Sequence, residues 1–256
     1  MLNLQKNDYR QGGITLLFGD CVCRMQEIED ETIALLVADP PYCSGGMSLT
    51  ERKKKTAEKY QTSGVMKRLN DYNGDARDQR AAQYFNFVWL SEAFRAAKPG
   101  ASALVFTDWR QIAMTIDSVQ AGGWIYRGLL VWDKMNARPQ PNRFKAQCEY
   151  IVWGTKGDAP DTTPSPDAKY LDGVFREYAP QASERIHMNQ KPIKLIKRIM
   201  EIEDEGIVLD PFSGSGTTAC ACIETKRDFI GIEADKQIFD ASIERIKRTQ
   251  AQGTLF

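Results

Sequence analysis

The 256-residue sequence lacks several features that would mark particular classes of protein. It has a single histidine, His187, and a formal net charge of zero, because 34 lysine and arginine residues balance 34 aspartate and glutamate residues. No apolar run approaches the roughly 20 residues that a membrane-spanning helix needs, and residues 1–6 lack the apolar core of a secretory signal. The sequence therefore predicts a cytoplasmic protein without a membrane segment, on which any nucleic-acid-binding surface is local.

The cysteines do not follow the spacing of common zinc sites. They include two Cys-x-Cys pairs, whereas structural zinc ligands are usually separated by two to four residues, and one histidine is available to complete a set. Free cysteine is commonly a core residue. We therefore predict reduced, mostly buried thiols and no bound metal. The six positions are Cys21, Cys23, Cys43, Cys148, Cys220 and Cys222.

Apolar runs alternate with helical segments along the chain, which favours a doubly wound α/β sheet. The link between the strands 124–132 and 149–154 is rich in proline and too short for a crossover helix, so these two strands are predicted to pair antiparallel. The predicted strands are 14–18, 32–38, 101–107, 124–132, 149–154, 207–209 and 229–233. Helices are predicted at 84–98, 110–120, 192–202 and 236–249. Two more are predicted to follow the first strand and the glycine turn, and to end at about Ile28 and about Glu224.

Two polar segments interrupt this pattern. Residues 43–80 are dotted with glycine, and between Glu51 and Arg80 nine lysine and arginine residues stand against five aspartate and glutamate residues. Residues 155–186 are rich in proline, aspartate and threonine. Long loops inside a compact domain are commonly functional, so both segments are candidates for recognising a partner.

A glycine-rich turn follows the apolar run 207–209. Gly214-x-Gly216-x-x-Ala219 matches the dinucleotide-type fingerprint, in which glycines let the backbone approach a ligand and the next helix offers N–H groups. Glu233 ends the following strand, where a carboxylate accepts hydrogen bonds from ribose hydroxyls. No lysine follows Gly216, which excludes a phosphate-cradling P-loop.

Asp210 separates two kinds of nucleotide cofactor. It stands directly before the glycine turn, where a carboxylate would attract the ammonium group of an amino-acid moiety and repel a pyrophosphate. This charge favours S-adenosylmethionine over NAD.

Asp39-Pro40-Pro41-Tyr42 ends the apolar run 33–38. The exocyclic amine of a nucleobase is a poor nucleophile, because its lone pair is conjugated into the ring, and a site can help by accepting both amine hydrogens. The Asp39 side chain and the Pro40 carbonyl are two adjacent acceptors, and the prolines fix the backbone that carries them. Tyr42 offers a flat face for an extruded base.

Together these segments resemble the amino-group DNA methyltransferases, the N6-adenine and N4-cytosine family. The amine-binding motif precedes the cofactor motif, as in the permuted class called beta. Gly19-Asp20-Cys21 resembles the segment whose aspartate contacts the cofactor adenine in that class, and His187-Met-Asn-Gln-Lys191-Pro192 resembles its His-x-x-Gln-Lys-Pro segment, which borders the methionine end. The resemblance extends from Gly19 to Glu233.

The resemblance implies a Rossmann-like methyltransferase fold in one domain, residues 1–256, with a mostly parallel seven-stranded sheet and one antiparallel strand. It implies S-adenosylmethionine as cofactor, no metal, double-stranded DNA as partner and adenine N6 as acceptor, in an enzyme that often forms homodimers. The implied catalytic residues are Asp39, Pro40, Pro41 and Tyr42. The implied cofactor-binding residues are Asp20, Asp39, Lys191, Asp210, Pro211, Phe212, Ser213, Gly214, Gly216, Thr217 and Glu233.

DNA recognition departs from the family pattern. The family usually reads its target with a region after the antiparallel hairpin, and here residues 155–186 are short and not basic. The basic insertion at 43–80 is the better candidate, because each lysine or arginine near DNA adds salt-dependent affinity. The residues predicted to contact phosphates are Lys53, Lys54, Lys55 and Arg68. His187 is expected to be structural.

Several alternatives remain open from the sequence. The same mechanism would serve cytosine N4, whereas cytosine C5 methylation needs a nucleophilic cysteine, typically after proline, and the chain contains no Pro-Cys. An NAD-dependent oxidoreductase could use the glycine turn, although it would leave Asp39-Pro-Pro-Tyr42 unexplained. A DNA-binding protein without catalysis is the third alternative.

Overall fold

The computed structural model describes residues 2, 4–43, 77–139, 141–158, 164, 168–180 and 190–253. The strands are β1 (Tyr9–Gln11), β2 (Ile14–Phe18), β3 (Ile33–Ala38), β4 (Ala97–Thr107), β5 (Ile125–Asp133), β6 (Cys148–Thr155), β7 (Val174–Arg176), β8 (Ile207–Asp210) and β9 (Phe229–Glu233). The helices are α1 (Cys21–Met25), α2 (Gln79–Ala96), α3 (Ile112–Ala121), α4 (Ile193–Ile199), α5 (Thr217–Glu224) and α6 (Lys236–Gly253), and a 3-10 turn, Met200–Ile202, follows α4.

The strands form one sheet in the order β1-β2-β9-β8-β3-β4-β6-β5-β7. The central pairs from β2 to β4 are parallel, and β6 lies antiparallel to both β4 and β5. The predicted α/β fold with an antiparallel hairpin is therefore confirmed, and all seven predicted strands are present. Two three-residue strands, β1 and β7, extend the edges of the sheet, and they are too short to show a periodic pattern in the sequence.

Helix α2 differs from its predicted bounds at both ends. It begins at Gln79 rather than near Tyr84, because the Asp78 side chain accepts the backbone N–H of Ala81 at 2.8 Å and caps it. It ends at Ala96 rather than Lys98, since the residue before a proline disfavours helical geometry and Pro99 follows.

Helices cover both faces of the sheet. One apolar core packs α1, α2 and α3 against the first face and contains Met25, Trp89 and Val119. The second packs α4, α5 and α6 against the other face and contains Leu195 and Phe239. The central strands are buried on both sides, which explains why their sequences are continuous apolar runs rather than alternating ones.

The parallel strands bring distant segments of the chain to one edge. β3 and β8 are neighbours, with Leu36 opposite Leu209, so Asp39 directly follows the end of β3 and Asp210 is the last residue of the adjacent β8. β9 continues this row on the far side of β8. Ligands of open α/β sheets bind outside the carboxyl ends of the strands, and this edge is where the predicted site residues collect.

Three further observations bear on the predictions from composition. Within the described ranges, no helix is long and apolar enough to cross a membrane. Among the same residues, no group of three or more histidine, cysteine, aspartate or glutamate side chains is arranged to hold a metal ion. Four of the six cysteines are buried, as predicted; they are Cys21, Cys43, Cys220 and Cys222.

Candidate active site

A cavity of about 270 Å³ opens at the carboxyl edge of the sheet. A second, smaller cavity of about 80 Å³ adjoins it, and Asp39, Phe212 and Gly214 line both. The predicted residues that line the larger cavity are Asp20, Asp39, Pro40, Pro41, Tyr42, Pro211, Phe212, Gly214 and Glu233. Those that line the smaller one are Asp39, Lys191, Asp210, Phe212, Ser213, Gly214 and Thr217. Two segments from opposite ends of the sequence thus share one site.

The glycine turn has a left-handed backbone, which glycine adopts without a steric penalty. Gly214 has φ +50° and Gly216 has φ +74°, and Gly216 directly precedes the first residue of α5. The Gly214 N–H donates to Oε2 of Glu233 at 2.9 Å, and the Asp235 N–H donates to Oε1 at 2.7 Å. Glu233 therefore holds the turn in place, in addition to lining the cavity.

Asp20 and Glu233 both line the larger cavity because β2 and β9 are adjacent and parallel. Phe18 pairs with Glu233, and the Gly19 N–H donates to the Glu233 carbonyl at 3.0 Å. Asp20 is exposed, and its Oδ1 caps α1 by accepting the Val22 and Cys23 N–H groups. Burial raises the pKa of Glu233 above its ordinary value. The predicted contacts of both carboxylates with a nucleoside stay predictions.

Asp210 lies deeper than the other carboxylates and is buried. Its Oδ2 accepts the Thr218 hydroxyl at 2.6 Å and its Oδ1 accepts the Phe212 N–H at 3.0 Å, so it braces both ends of the glycine turn. Burial raises the pKa of Asp210 to about 7, against the lowering effect of these two hydrogen bonds. The predicted contact with an ammonium group would favour the ionised form.

Lys191 joins the Asp39–Tyr42 segment to Glu149, a residue that the sequence reasoning missed. Its buried ammonium group donates to Oδ2 of Asp39 at 2.7 Å and to the Tyr42 hydroxyl at 3.1 Å, and it lies 3.2 Å from Oε2 of Glu149. An ammonium group has three donors, so this arrangement uses all of them. The Tyr42 hydroxyl in turn reaches Oδ1 of Asp39 at 2.8 Å and Oε2 of Glu149 at 3.1 Å.

The charges of this cluster fix its protonation. Burial lowers the pKa of Lys191, but Asp39 and Glu149 outweigh it and raise the pKa above its ordinary value. Burial likewise opposes ionisation of Glu149, yet Lys191 and Lys134 keep its pKa low. Burial and both carboxylates raise the pKa of Tyr42 well above its usual range, so the phenol keeps its proton. Asp39 is thus held in a fixed orientation while its side chain remains 28% exposed.

Glu149 is the second residue of β6, and nothing near it in the sequence marks it as functional. Its signal is topological: an antiparallel strand begins at the edge where its parallel neighbours end. A polar residue at the start of such a strand therefore faces the site. The Lys134 ammonium also donates to Glu149 Oε1 at 3.2 Å.

Aromatic side chains support the wall of the larger cavity. The Phe212 ring packs edge-on against the rings of Trp89 and Phe85. The ring centres are 5.1 Å apart in the pair with Trp89 and 6.1 Å apart in the pair with Phe85. The Arg77 guanidinium lies 4.1 Å from the centre of the Phe85 ring, and both residues line the cavity. The sequence reasoning identified only Phe212 of this group, because the others come from α2 and the residues just before it.

Several predicted residues lie outside the described residues. These are the phosphate-contact candidates Lys53, Lys54, Lys55 and Arg68, together with His187. The segment 43–80 is described only at 43 and 77–80, and residues 155–186 only at 155–158, 164 and 168–180. Gly216 is described but lines neither cavity, since its role is to begin α5.

The cavities suit a nucleoside with a positively charged tail. Three carboxylates, those of Asp20, Asp39 and Glu233, line the larger cavity, and Asp210 lines the smaller one. These four carboxylates outnumber the two cations among the described lining residues, Arg77 and Lys191, so the balance of charge disfavours a pyrophosphate and favours an ammonium or sulfonium group. The backbone of the glycine turn leaves space for close approach of the ligand.

Comparison with known proteins agrees with the geometry. The model of a DNA methylase family, the N6/N4 type, matches residues 33–244. The type II methyltransferase M2.MboI of Moraxella bovis is 27% identical over 244 residues, which cover 89% of this chain and 85% of that protein. M.HinfI of Haemophilus influenzae, also named a type II methyltransferase, is 27% identical over 257 residues, which cover 91% of this chain and 68% of that protein.

Two solved structures are similar over nearly the whole chain. M1.HpyAVI in complex with SAM has a TM-score of 0.65 at 22% identity, with 91% of this chain and 98% of that chain covered. The PvuII DNA methyltransferase, which is cytosine-N4-specific, has a TM-score of 0.68 at 18% identity, with 98% and 96% covered. At these identities the likeness establishes the fold. Because the family model extends from β3 into α6, the chain belongs to the N6/N4 family of DNA methylases.

Proposed function

We propose that this DNA methyltransferase moves a methyl group from S-adenosylmethionine to the exocyclic N6 of an adenine that is flipped out of double-stranded DNA. One observation carries the proposal: the Asp39–Tyr42 segment and the glycine turn lie at the ends of neighbouring strands and line shared cavities. A bound cofactor and a bound amine would therefore be held within reach of each other.

The amine would be held by acceptors on a rigid segment. When bound, S-adenosylmethionine supplies a methyl group made electrophilic by the positive sulfur. Asp39 and the Pro40 carbonyl accept the two amine hydrogens, which increases the electron density on the nitrogen. Lys191 and the Tyr42 hydroxyl keep the Asp39 carboxylate fixed, so that little reorganisation is needed when the amine arrives.

Tyr42 would present its ring to the flipped base. Its hydroxyl is anchored by Asp39, Lys191 and Glu149, so the ring rather than the hydroxyl would contact the base. Stacking of a base on an aromatic ring is worth about 1–3 kcal/mol. Because the phenol keeps its proton, we assign it no part in proton transfer.

The cofactor would lie across the glycine turn. Glu233 would accept hydrogen bonds from the ribose, Asp20 would contact the adenine, and Asp210 with Lys191 would hold the ammonium and carboxylate groups of the methionine end. Charge supports this orientation, because the acidic residues lie where the positive groups would be placed. The same charge argues against a pyrophosphate, and with it against an NAD-dependent oxidoreductase.

We prefer adenine over cytosine as the acceptor base because of one residue, Asp39. The aspartate in Asp39-Pro-Pro-Tyr resembles the adenine enzymes of the family more often than the cytosine-N4 enzymes, in which serine is common. Cytosine N4 is the second candidate, since the amine chemistry is the same and a cytosine-N4-specific enzyme shares the fold.

Mass spectrometry of methylated nucleosides tests the proposal. The purified protein is incubated with S-adenosylmethionine and unmethylated genomic DNA, and the DNA is then digested. N6-methyladenine is expected. N4-methylcytosine would correct the acceptor base and leave the mechanism in place. No methylated base, with the cofactor still bound, would contradict the proposed activity and favour a DNA-binding protein without catalysis.

Asp39→Ala separates chemistry from cofactor binding. We expect this variant to lose methyl transfer by at least about 10²-fold, as for a lost acceptor at the reacting atom, while S-adenosylhomocysteine still stabilises it against heat. Asp204→Ala is the matched control, because Asp204 is exposed and pairs with Lys169 away from the site. Normal transfer by Asp39→Ala would refute the assigned role.

A further inference from the structure

The link between β5 and β6 is strongly basic. Residues 134–147, here called the hairpin loop, contain four basic side chains and no aspartate or glutamate, in a chain whose overall charge is zero. The four are Lys134, Arg138, Arg143 and Lys145. Such a local concentration of one sign of charge is the electrostatic pattern of a nucleic-acid contact.

Phe144 lies between two of these cations and is fully exposed, at 103% of its reference area. Single exposed apolar residues are ordinary on protein surfaces. Here the neighbours of Phe144 in the sequence, Arg143 and Lys145, are also exposed. An apolar ring therefore lies between two positive charges of the kind that bind phosphate. Proteins that bind the minor groove frequently insert apolar side chains of this kind between base steps.

The stem of the hairpin loop is fixed to the active site. The Lys134 backbone N–H donates to the Gln147 carbonyl at 2.9 Å, and the Lys134 side chain pairs with Glu149, which contacts Tyr42. Phe144 is three residues from Gln147, so it lies at most about 10 Å from this stem. A duplex that delivers a base to Tyr42 therefore passes within reach of Phe144.

Side-chain contacts hold the stem and leave the tip in solvent. The Asn136 amide donates to the Ala179 carbonyl at 3.0 Å, and the Gln147 amide donates to Oδ1 of Asp133 at 3.0 Å. Residues 141–146, by contrast, are all exposed. The tip is thus presented on a fixed base at the edge where the substrate must bind.

We propose that the hairpin loop is a DNA-binding element in which Phe144 inserts into the stack beside the flipped base while Arg143 and Lys145 contact phosphates. The inference rests on the proposed function. Extrusion of a base breaks stacking and pairing that cost a few kcal/mol, and an inserted phenyl ring replaces part of the lost stacking. The loop thereby assists base flipping in addition to binding the backbone.

Kinetics on matched duplexes test the wedge. The site methylated by the wild-type enzyme is first mapped, and short duplexes are made with that site either fully paired or mismatched opposite the target base. We expect Phe144→Ala to lower kcat/KM on the paired duplex about tenfold or more, with cofactor binding unchanged. A mismatch weakens the pair, so most of the loss should disappear on the mismatched duplex.

A fluorescent base analogue reports the flipping directly. With 2-aminopurine at the mapped target position, the wild-type protein should raise the fluorescence as the base leaves the stack, and Phe144→Ala should give a smaller rise. Tyr170→Ala is the matched control, because Tyr170 is also highly exposed but lies beside Lys169, which contacts residues before the amino end of β8. It should behave as the wild type.

Salt dependence tests the cations. Each lost phosphate contact lowers the slope of log Kd against log salt by about 0.9, so Arg143→Ala combined with Lys145→Ala should lower it by about 1.8. Lys98→Ala, at the exposed start of β4 on the opposite edge, should leave the slope unchanged.

The outcomes separate this inference from the proposed function. Equal losses by Phe144→Ala on paired and mismatched duplexes would overturn the wedge, and an unchanged salt slope would overturn the phosphate contacts. If the wild-type enzyme methylates DNA and the loop variants behave as the wild type does, the role of the hairpin loop is refuted and the proposed function stands. Failure of the wild-type enzyme to methylate DNA would refute the proposed function, and with it this inference.

Discussion

Replacement of Lys191 by methionine removes a cation that contacts Asp39, Tyr42 and Glu149 together. Methionine keeps the length and apolar character of the side chain and loses the charge. The ammonium group lies 3.2 Å from Glu149 Oε2, which at an effective dielectric constant of about 20 corresponds to an attraction of about 5 kcal/mol. Breaking a buried ion pair by removing one partner costs about 3–5 kcal/mol.

The cost depends on pH because Glu149 can take up a proton. In the wild type, burial is outweighed by Lys191 and Lys134, so the pKa of Glu149 is low and its stabilising contribution is present above pH 4.5 and lost below it. In Lys191→Met burial dominates and the pKa of Glu149 rises. A carboxyl group whose pKa is higher in the folded state stabilises the fold at low pH, where it is protonated. This contribution is lost as the pH rises through the pKa of the folded state. The difference in stability between the two proteins should therefore grow from pH 5.5 to pH 8.5.

Urea unfolding at several pH values measures this effect. We expect Lys191→Met to be less stable than the wild type by about 3 kcal/mol at pH 8 and by clearly less at pH 5.5. Adding Glu149→Gln removes the unpaired charge and should restore part of the stability. Lys194→Met is the matched control, because Lys194 lies on the next helix yet is 75% exposed and pairs at the surface with Glu177.

Methyl transfer should respond as well. With Asp39 no longer held, we expect kcat of Lys191→Met to fall about a hundredfold, since a displacement of about 1 Å has that effect on oriented groups. The measurement includes the Kd for S-adenosylhomocysteine, because Lys191 is also assigned to the cofactor. A stability loss below about 1 kcal/mol at pH 8, or one independent of pH, would refute the reasoning.

Three further predictions concern the cofactor side of the site. Because burial raises the pKa of Asp210 to about 7, its ionised fraction grows about tenfold from pH 6 to pH 8, and calorimetry should show cofactor affinity rising in parallel, with no such rise in Asp210→Asn. Gly216→Ala forces a side chain into the left-handed region at φ +74°, which should cost about 1–2 kcal/mol of stability in denaturant unfolding and weaken S-adenosylhomocysteine binding. Trp89→Ala should lower the unfolding free energy by about 3–5 kcal/mol and, because Trp89 supports the Phe212 ring, raise the Kd for the cofactor measured by fluorescence.

The sequence predicted the parts of the site that follow buried parallel strands. Each apolar run ends in a motif, and the sequence identified both motifs. The structure adds that β3 and β8 are neighbours, which brings Asp39 and the glycine turn to one edge. Local patterns suffice here because the strand, the turn and the functional residue are consecutive in the chain.

The residues that the sequence reasoning missed depend on contacts between distant segments. Tyr42 and Glu149 are 107 residues apart, and Asp39 and Lys191 are 152 apart. Glu149 was missed because a charged residue at the start of a strand normally indicates a solvent-exposed position. The family resemblance placed Lys191 at the cofactor. Its ion pair with Asp39 could not be predicted, because it depends on where the fold puts the segment before α4.

The pairing of early strands with late ones also constrains how the protein is made. β2 pairs with β9, and β3 pairs with β8, so two strands from the first 40 residues have partners that begin at Ile207 or later. At a synthesis rate of about 5–20 residues per second, those partners emerge from a ribosome at least about 8 seconds after the strands with which they pair. During that interval the apolar faces of β2 and β3 have no native neighbour on that side, which exposes the nascent chain to aggregation. Assembly of the sheet, and with it binding of any cofactor, is therefore a late event in the synthesis of this enzyme.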